Sequence, residues 1–390
     1  MGIRRLLGLV TALAFAAVSI FLGAGAASAT TTGPETVTSG SFLRNVAFTP
    51  DGAHVWVTSY GLQKLLGFTT DSAQTAVGSI DLPGNPEGIV ILPDGIHAVV
   101  PISNINDLAY VNLDTGVVTR PFAASADYPA DIALSPDGNY VAVSYFFGRE
   151  ATIFRLSDFS VVDTWDTSGK AATVTFTPDG TGILVTDYDS NVVRLYVAGL
   201  DIPVQASVGT SPFGQTFSPD GGRYLVVNSG DNTISDLNSA DIISATLTTR
   251  AAGTQVQFAS FTPDGTQVWV MAMGENKIRI YDAASWSELT PIEISGMPRQ
   301  VVFTPDGCQA YVSLESANAI VRYQLDPCFT PASSGDGDSA GAGDGSGSSA
   351  GTTLANTGTN DPANTAWALF ALAALTAGAT ALVMRRALRK

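Results

Sequence analysis

The sequence is poor in the side chains that carry most enzyme chemistry. Its 390 residues include two histidines and two cysteines, and charged residues make up only 14% of the chain. His54 and His97 have no third histidine or partner cysteine to complete a zinc site, which argues against a metal centre. No G-x-S-x-G element, P-loop or dinucleotide fingerprint occurs, so the common hydrolase and nucleotide-binding signatures are missing. Asp187-Tyr188-Asp189-Ser190-Asn191 opens like a calcium loop. Val192 then stands where the turn glycine belongs and Ala198 where the bidentate acid belongs, so the segment reads as a solvated loop. No metal and no cofactor is expected.

Basic residues are scarce too. There are 19 Lys and Arg against 35 Asp and Glu, a net charge of −16. Six of the bases sit at the ends, as Arg4, Arg5, Arg385, Arg386, Arg389 and Lys390. Residues 30–357 therefore hold 34 acids and 13 bases, about −21. Such a surface repels phosphate backbones, which excludes nucleic acid as a partner, and it favours solubility.

Long apolar runs are confined to the two ends. Residues 6–22 are almost continuously apolar behind Arg4 and Arg5, and Ala27-Ser28-Ala29 offers the small residues of a cleavage site, so 1–29 reads as a signal peptide. Near the C-terminus, Leu354-Ala355-Asn356-Thr357-Gly358 precedes an apolar stretch at 365–384 and a basic tail. That stretch is long enough for a transmembrane helix across a core of about 30 Å. The motif, apolar stretch and basic tail of 354–390 resemble a sortase sorting signal of the L-A-x-T-G type, with Ala355 in the usual proline position. The resemblance implies that a sortase attacks the Thr357 carbonyl and passes the chain to a peptidoglycan precursor. The protein would then be extracellular and anchored to the cell wall, or, as the alternative, held by a single-pass membrane anchor. Residues 331–353, nearly all Gly, Ser, Ala and Asp, read as a flexible linker.

The body, 30–330, repeats itself. Pro-Asp-Gly begins at Pro50, Pro93, Pro136, Pro178, Pro219, Pro263 and Pro305, at intervals of 41 to 44 residues. Two residues before each proline stands a large apolar residue, from Phe48 to Phe303. Five residues after each glycine stands a valine: Val57, Val100, Val143, Val185, Val226, Val270 and Val312. A period near 42 with four short strands per unit predicts an all-β, seven-bladed propeller. The last repeat runs out after its third strand, and 35–39 aligns with the missing outer strand. The N-terminus should therefore close the last blade and remove an open edge.

These repeats resemble the YVTN family of surface-protein propellers. The tetrapeptide appears as Trp56-Val57-Thr58-Ser59, Leu184-Val185-Thr186-Asp187, Leu225-Val226-Val227-Asn228 and Tyr311-Val312-Ser313-Leu314, with only the valine kept throughout. Cys308 opens the second strand of the last repeat and Cys328 follows its third. Antiparallel strands bring those ends together, so a disulfide is expected in an oxidising compartment.

Any ligand should sit at the channel mouth, fed by the loops leading into the innermost strands. Those loops contribute Arg44, Glu87, Asp131, Phe213, Phe258 and Arg299. The loops between second and third strands add Tyr60, Phe146, Phe147, Arg149 and Tyr188 on the same face. Four charges of mixed sign with two phenylalanines suit a small polar or peptidic ligand. The favoured reading is a wall-displayed, non-catalytic binding or scaffold module for an unknown extracellular protein, glycan or small ligand. The alternative is a secreted propeller enzyme, lactonase-like or dehydrogenase-like, acting on a small substrate at the mouth.

Overall fold

The computed structural model describes residues 32–124, 126–197, 203–239, 242 and 247–330. The segments expected to be a signal peptide, a linker and a sorting motif, with the apolar stretch at 365–384, lie outside the described residues. Among the described residues no helix is long and apolar enough to cross a membrane.

The described strands form seven antiparallel four-stranded sheets. Blade 1 is typical, with strands Leu43–Phe48, His54–Ser59, Lys64–Thr69 and Ala76–Asp81 running outward from the channel. Blade 7 is composite. Its three inner strands end at Ala319–Gln324, and the outer strand is Thr32–Ser39 from the other end of the chain. Glu35 pairs with Arg322, Thr36 with Val321 and Ser39 with Ala319, so the expected closure is present and begins three residues earlier than 35–39. The Arg322 guanidinium donates to the Glu35 carboxylate and, at 3.0 Å, to the Asp71 carbonyl of blade 1. The closing strand is thus tied to two blades.

The apolar core is divided into seams between neighbouring blades. The second strand of each blade is buried on both faces and feeds two seams in alternation. In blade 1, Val55 and Val57 pack with Tyr311 and Ile320 of blade 7, whereas Trp56 packs with Ile91, Val100 and Val111 of blade 2. This explains the valine that recurs in every repeat. All seven are fully buried, and each faces the preceding blade. A β-branched side chain is stiff enough to key that seam, and burying one contributes about 1.5–3 kcal/mol.

The Pro-Asp-Gly turns have a second ingredient, a hydroxyl before the proline. In blade 1, Thr49 Oγ1 donates to Asp51 and accepts the His54 N–H at 3.0 Å, while Asp51 Oδ1 accepts the Ala53 N–H at 3.0 Å. Gly52 completes the turn at φ +69°, a region that favours glycine. The same hydroxyl–aspartate pair recurs at Ser135 and Asp137, Thr177 and Asp179, Ser218 and Asp220, Thr262 and Asp264, and Thr304 and Asp306. Blade 2 has Leu92 at that position. There Asp94 turns to the His97 ring, with Nδ1 at 2.7 Å, and that ring stacks on Tyr110. His97 is a turn partner, at the end of the blade away from the mouth.

Cys308 and Cys328 form the expected disulfide, with Cα atoms 4.3 Å apart. The bridge pins the segment after the last strand to the turn of blade 7, where the Phe329 N–H donates to the Gly307 carbonyl at 2.9 Å.

Candidate binding site at the channel mouth

Each innermost strand leaves the ladder at its first residues. Register shifts fall between Leu43 and Val46, Pro129 and Asp131, Ala171 and Val174, Pro212 and Gln215, Val256 and Ala259, and Pro298 and Gln300. In blade 2 the regular strand shrinks to Val90–Ile91, with a lone bridge from Pro86 to Ile102. The sequence places the mouth residues in loops leading into the strands. The structure corrects this: apart from Glu87, which lies between that bridge and the shortened strand, they sit within the strands at bulges. A bulge adds a residue against the partner strand and re-aims the side chains beside it. That aims them at the channel.

A bulge also strands backbone polar groups, and in blades 1, 4 and 7 a hydroxyl on the residue after the recurrent valine serves them. Thr58 Oγ1 accepts the Asn45 N–H of its own blade at 2.9 Å and donates to the Glu87 carbonyl of the next blade at 2.9 Å. Thr186 does the same between Thr173 and the Phe213 carbonyl, and Ser313 between Gln300 and the Arg44 carbonyl. The hydroxyl at that position therefore fixes the backbone of the neighbouring mouth residue.

All six predicted residues, Arg44, Glu87, Asp131, Phe213, Phe258 and Arg299, line one cavity of about 240 Å³. The cavity has two unlike sides. On the blade 7, 1 and 2 side, Arg44 lies between two carboxylates, with Nε 3.7 Å from Glu87 and Nη1 3.6 Å from Glu315. Arg299 Nη1 reaches the other Glu315 oxygen at 3.2 Å. The Tyr128 hydroxyl donates to Glu87 at 2.7 Å. On the blade 3 to 6 side an aromatic arc runs from Phe147 through Phe146, Tyr188 and Phe213 to Phe258, with ring centroids 5.2 to 6.4 Å apart. Arg299 closes the arc by lying over Phe258 at 5.6 Å.

Asp131 belongs to neither side. Its Oδ2 accepts the Val174 N–H of the next blade at 3.1 Å. Desolvation inside the mouth raises its carboxyl to about 7, with Glu87 adding to the rise while Arg299 and the backbone hydrogen bonds oppose it. Burial first, then neighbouring Arg44, pulls the Arg299 guanidinium below its ordinary value. Burial and then Glu87 push the Tyr128 phenol up.

Glu315 and Tyr128 are the members that sequence reasoning missed. A signal for Glu315 was present: it stands eight residues after its turn glycine, the register that yields Tyr60, Phe146 and Tyr188. Tyr60 stacks on Arg44 at 4.8 Å, and Phe146 and Phe147 line the cavity. Arg149 lies further out, 4.0 Å from Asp189. Asp187, read as part of a solvated loop, is instead fully buried and paired with Arg194 at 3.1 Å. Among the described residues no three His, Cys, Asp or Glu side chains gather as a metal site.

A seven-bladed propeller with a lined mouth is the class of protein that this geometry defines. A family model described as "Lactonase, 7-bladed beta-propeller" matches residues 222–334, which covers the three outer strands of blade 5, blade 6 and the three inner strands of blade 7. Hydrazine synthase from Kuenenia stuttgartiensis superposes with a TM-score of 0.64 at 15% identity, covering 75% of this chain and 97% of that one. At that identity the likeness is one of fold. No curated protein matches the chain.

Proposed function

We propose that this protein is a surface-displayed propeller that binds a small ligand at its channel mouth and leaves it unchanged. The observation that supports this best is the convergence of Arg44, Glu87, Asp131, Phe213, Phe258 and Arg299, at equivalent places in six blades, on one cavity. The repeat keeps its seam valine in every blade and its turn device in six, while the mouth positions change, which is how a scaffold carries a grafted site. The cavity is smaller than the roughly 300 Å³ at which pockets begin to take drug-sized ligands, so the ligand is small. A fragment screen read by ligand-observed NMR, with soaking into crystals, tests the reading. Fragments should cluster at the mouth, and binding elsewhere alone would sink it.

Display rests on the sorting signal, and kinship with YVTN surface propellers belongs to the same reading. Thr357→Ala should move the protein from the wall fraction to the membrane or medium. Complete detergent extraction of the wild type, with none in muramidase digests, would defeat wall anchoring and leave the membrane-anchored form.

A second reading, lactone hydrolysis, is favoured by the family match and by a mouth carboxyl that titrates near neutrality. Asp131 would take a proton from water attacking a lactone carbonyl, Arg44 and Arg299 would hold the carbonyl oxygen, and ring opening would yield a hydroxy acid. Turnover of a lactone panel that rises through about pH 7 and vanishes in Asp131→Asn would establish it. No turnover would leave the binding reading.

A further inference from the structure

We infer that the channel mouth takes a small monocarboxylate with a flat apolar body, its carboxylate on Arg44 and Arg299 and its body against Phe146, Phe147, Phe213 and Phe258. This rests on the small-ligand reading above and names the ligand class.

The first argument is an unfilled demand for acceptors. Among the described residues the Arg44 guanidinium makes no hydrogen bond. Its two carboxylate neighbours stand 3.6 and 3.7 Å away, beyond hydrogen-bonding distance, and its Nε is enclosed without an acceptor. The Tyr60 ring lies 4.8 Å from the guanidinium carbon and helps to hold the group at the mouth. Arg299 is 9% exposed and its Nη1 donates to Glu315 at 3.2 Å and to Gln257 Oε1 at 3.4 Å, while its Nε lacks a partner. The carboxylates nearby each have a donor of their own: Glu87 has the Tyr128 hydroxyl, Glu315 has Arg299, and Asp131 has the Val174 N–H. The Arg44 guanidinium is left without a hydrogen-bonded acceptor, and a bidentate carboxylate is the group that fits a guanidinium fork.

The second argument is the far wall. Phe147 lines the cavity yet is 59% exposed, an apolar surface left for something to cover. The arc cannot serve as a cage for a cationic ligand, because intrinsic cations already occupy it. Lys170 lies over Phe146 and Tyr188 and is paired with Asp189, and Arg299 lies over Phe258.

Charge then sets how binding responds to pH. Glu87, Tyr128 and Arg44 from blades 1 to 3, and Arg299 and Glu315 from blade 7, are the titratable groups around Asp131, with Lys170 and Asp189 at the blade 4 rim. Arg44 and Arg299 are offset by Glu87 and Glu315, so an incoming carboxylate is tolerated best when Asp131 is neutral. Its affinity should fall as pH rises through about 7.

The test uses the full chain and three probes of one shape: phenylacetate, phenylacetamide and 2-phenylethylamine. Calorimetry or ligand-observed NMR should show phenylacetate binding at least about tenfold tighter than either other probe. The preference should vanish in Arg44→Gln, and Lys170→Gln should preserve it. Affinity for phenylacetate should weaken roughly fivefold from pH 6 to pH 8, and Asp131→Asn should flatten that slope. Melting curves confirm that each variant is folded. If phenylacetamide binds as well as phenylacetate and Arg44→Gln changes neither, the carboxylate assignment falls while a small-ligand site survives. If none of the three binds but screened fragments of another class occupy the mouth, the assignment again falls alone. If no fragment reaches the mouth, both readings fall together.

Discussion

The two ends of each blade are built from the same repeat and behave oppositely. At the turn end six blades carry the same hydroxyl–aspartate device. A hydroxyl donor depresses the carboxyls of Asp51, Asp137 and Asp220, with backbone N–H groups adding to it. At the mouth end the corresponding positions carry Arg, Glu, Asp or Phe, and burial pushes the Asp131 carboxyl up. Hydrogen bonds made by the charged form rule one end, and desolvation rules the other. Uniformity marks the end that holds the ring together, and diversity marks the end free to specialise.

The largest effect should come from breaking what both ends share, the closed ring. Deleting 30–40 removes the strand paired with Ala319–Gln324 and bares its edge. The domain should lose several kcal/mol in chemical denaturation and self-associate in light scattering. Deleting 333–353 should leave melting unchanged, and equal effects from the two deletions would show that closure is not what the N-terminal strand does.

Reducing the Cys308–Cys328 bridge acts at the turn end. It frees a loop with a sequence separation of 20, worth about 3 kcal/mol in the chain-entropy model. Melting should fall while phenylacetate affinity, measured below the melting range, stays the same. A parallel loss of affinity would show that the two ends are not independent.

The carboxylates should respond to pH with opposite signs. Asp131 has a raised folded pKa, so the folded state holds its proton between about pH 4 and 7 while the unfolded state has lost it. Its contribution to stability therefore falls as pH rises across that window and is flat above it. Asp131→Asn keeps an acceptor for the Val174 N–H and should melt higher than wild type at pH 7.5, with the gap closing towards pH 4. Asp220 has a depressed folded pKa, so its stabilisation is present above the unfolded value and lost as pH falls through the folded one. Asp220→Asn should melt lower at neutral pH, with that gap closing in acid. If both variants shifted melting in the same direction, the contrast between the ends would be wrong.

The smallest effect should come from Thr186→Val. It removes a hydroxyl that serves the Thr173 N–H and the Phe213 carbonyl, at a cost of about 1–3 kcal/mol. Phenylacetate affinity should fall as well, because the same hydroxyl sets the backbone of Phe213. A stability loss with unchanged affinity would confine its role to the scaffold.

Sequence alone determined the parts of this protein that repeat. Seven Pro-Asp-Gly turns, the seven valines and the orphaned strand at 35–39 sufficed for blade count, register and closure, because a periodic chain meets the same local physics in every unit. The equivalent positions also named six of the mouth residues, and two cysteines at neighbouring strand ends named the bridge. Tertiary structure decided the rest. Bulges turned expected loop residues into strand residues, and a bulge is a property of how a strand pairs with its partner. Tyr128 joined the site through a contact to Glu87, 41 residues away in the neighbouring blade, that rests on the two side chains rather than on the repeat pattern. The split of the mouth into a charged side and an aromatic side, and the near-neutral carboxyl of Asp131, arise only when the ring closes. Desolvation and pairing are properties of what surrounds a group, and each of these groups is surrounded by residues from several blades.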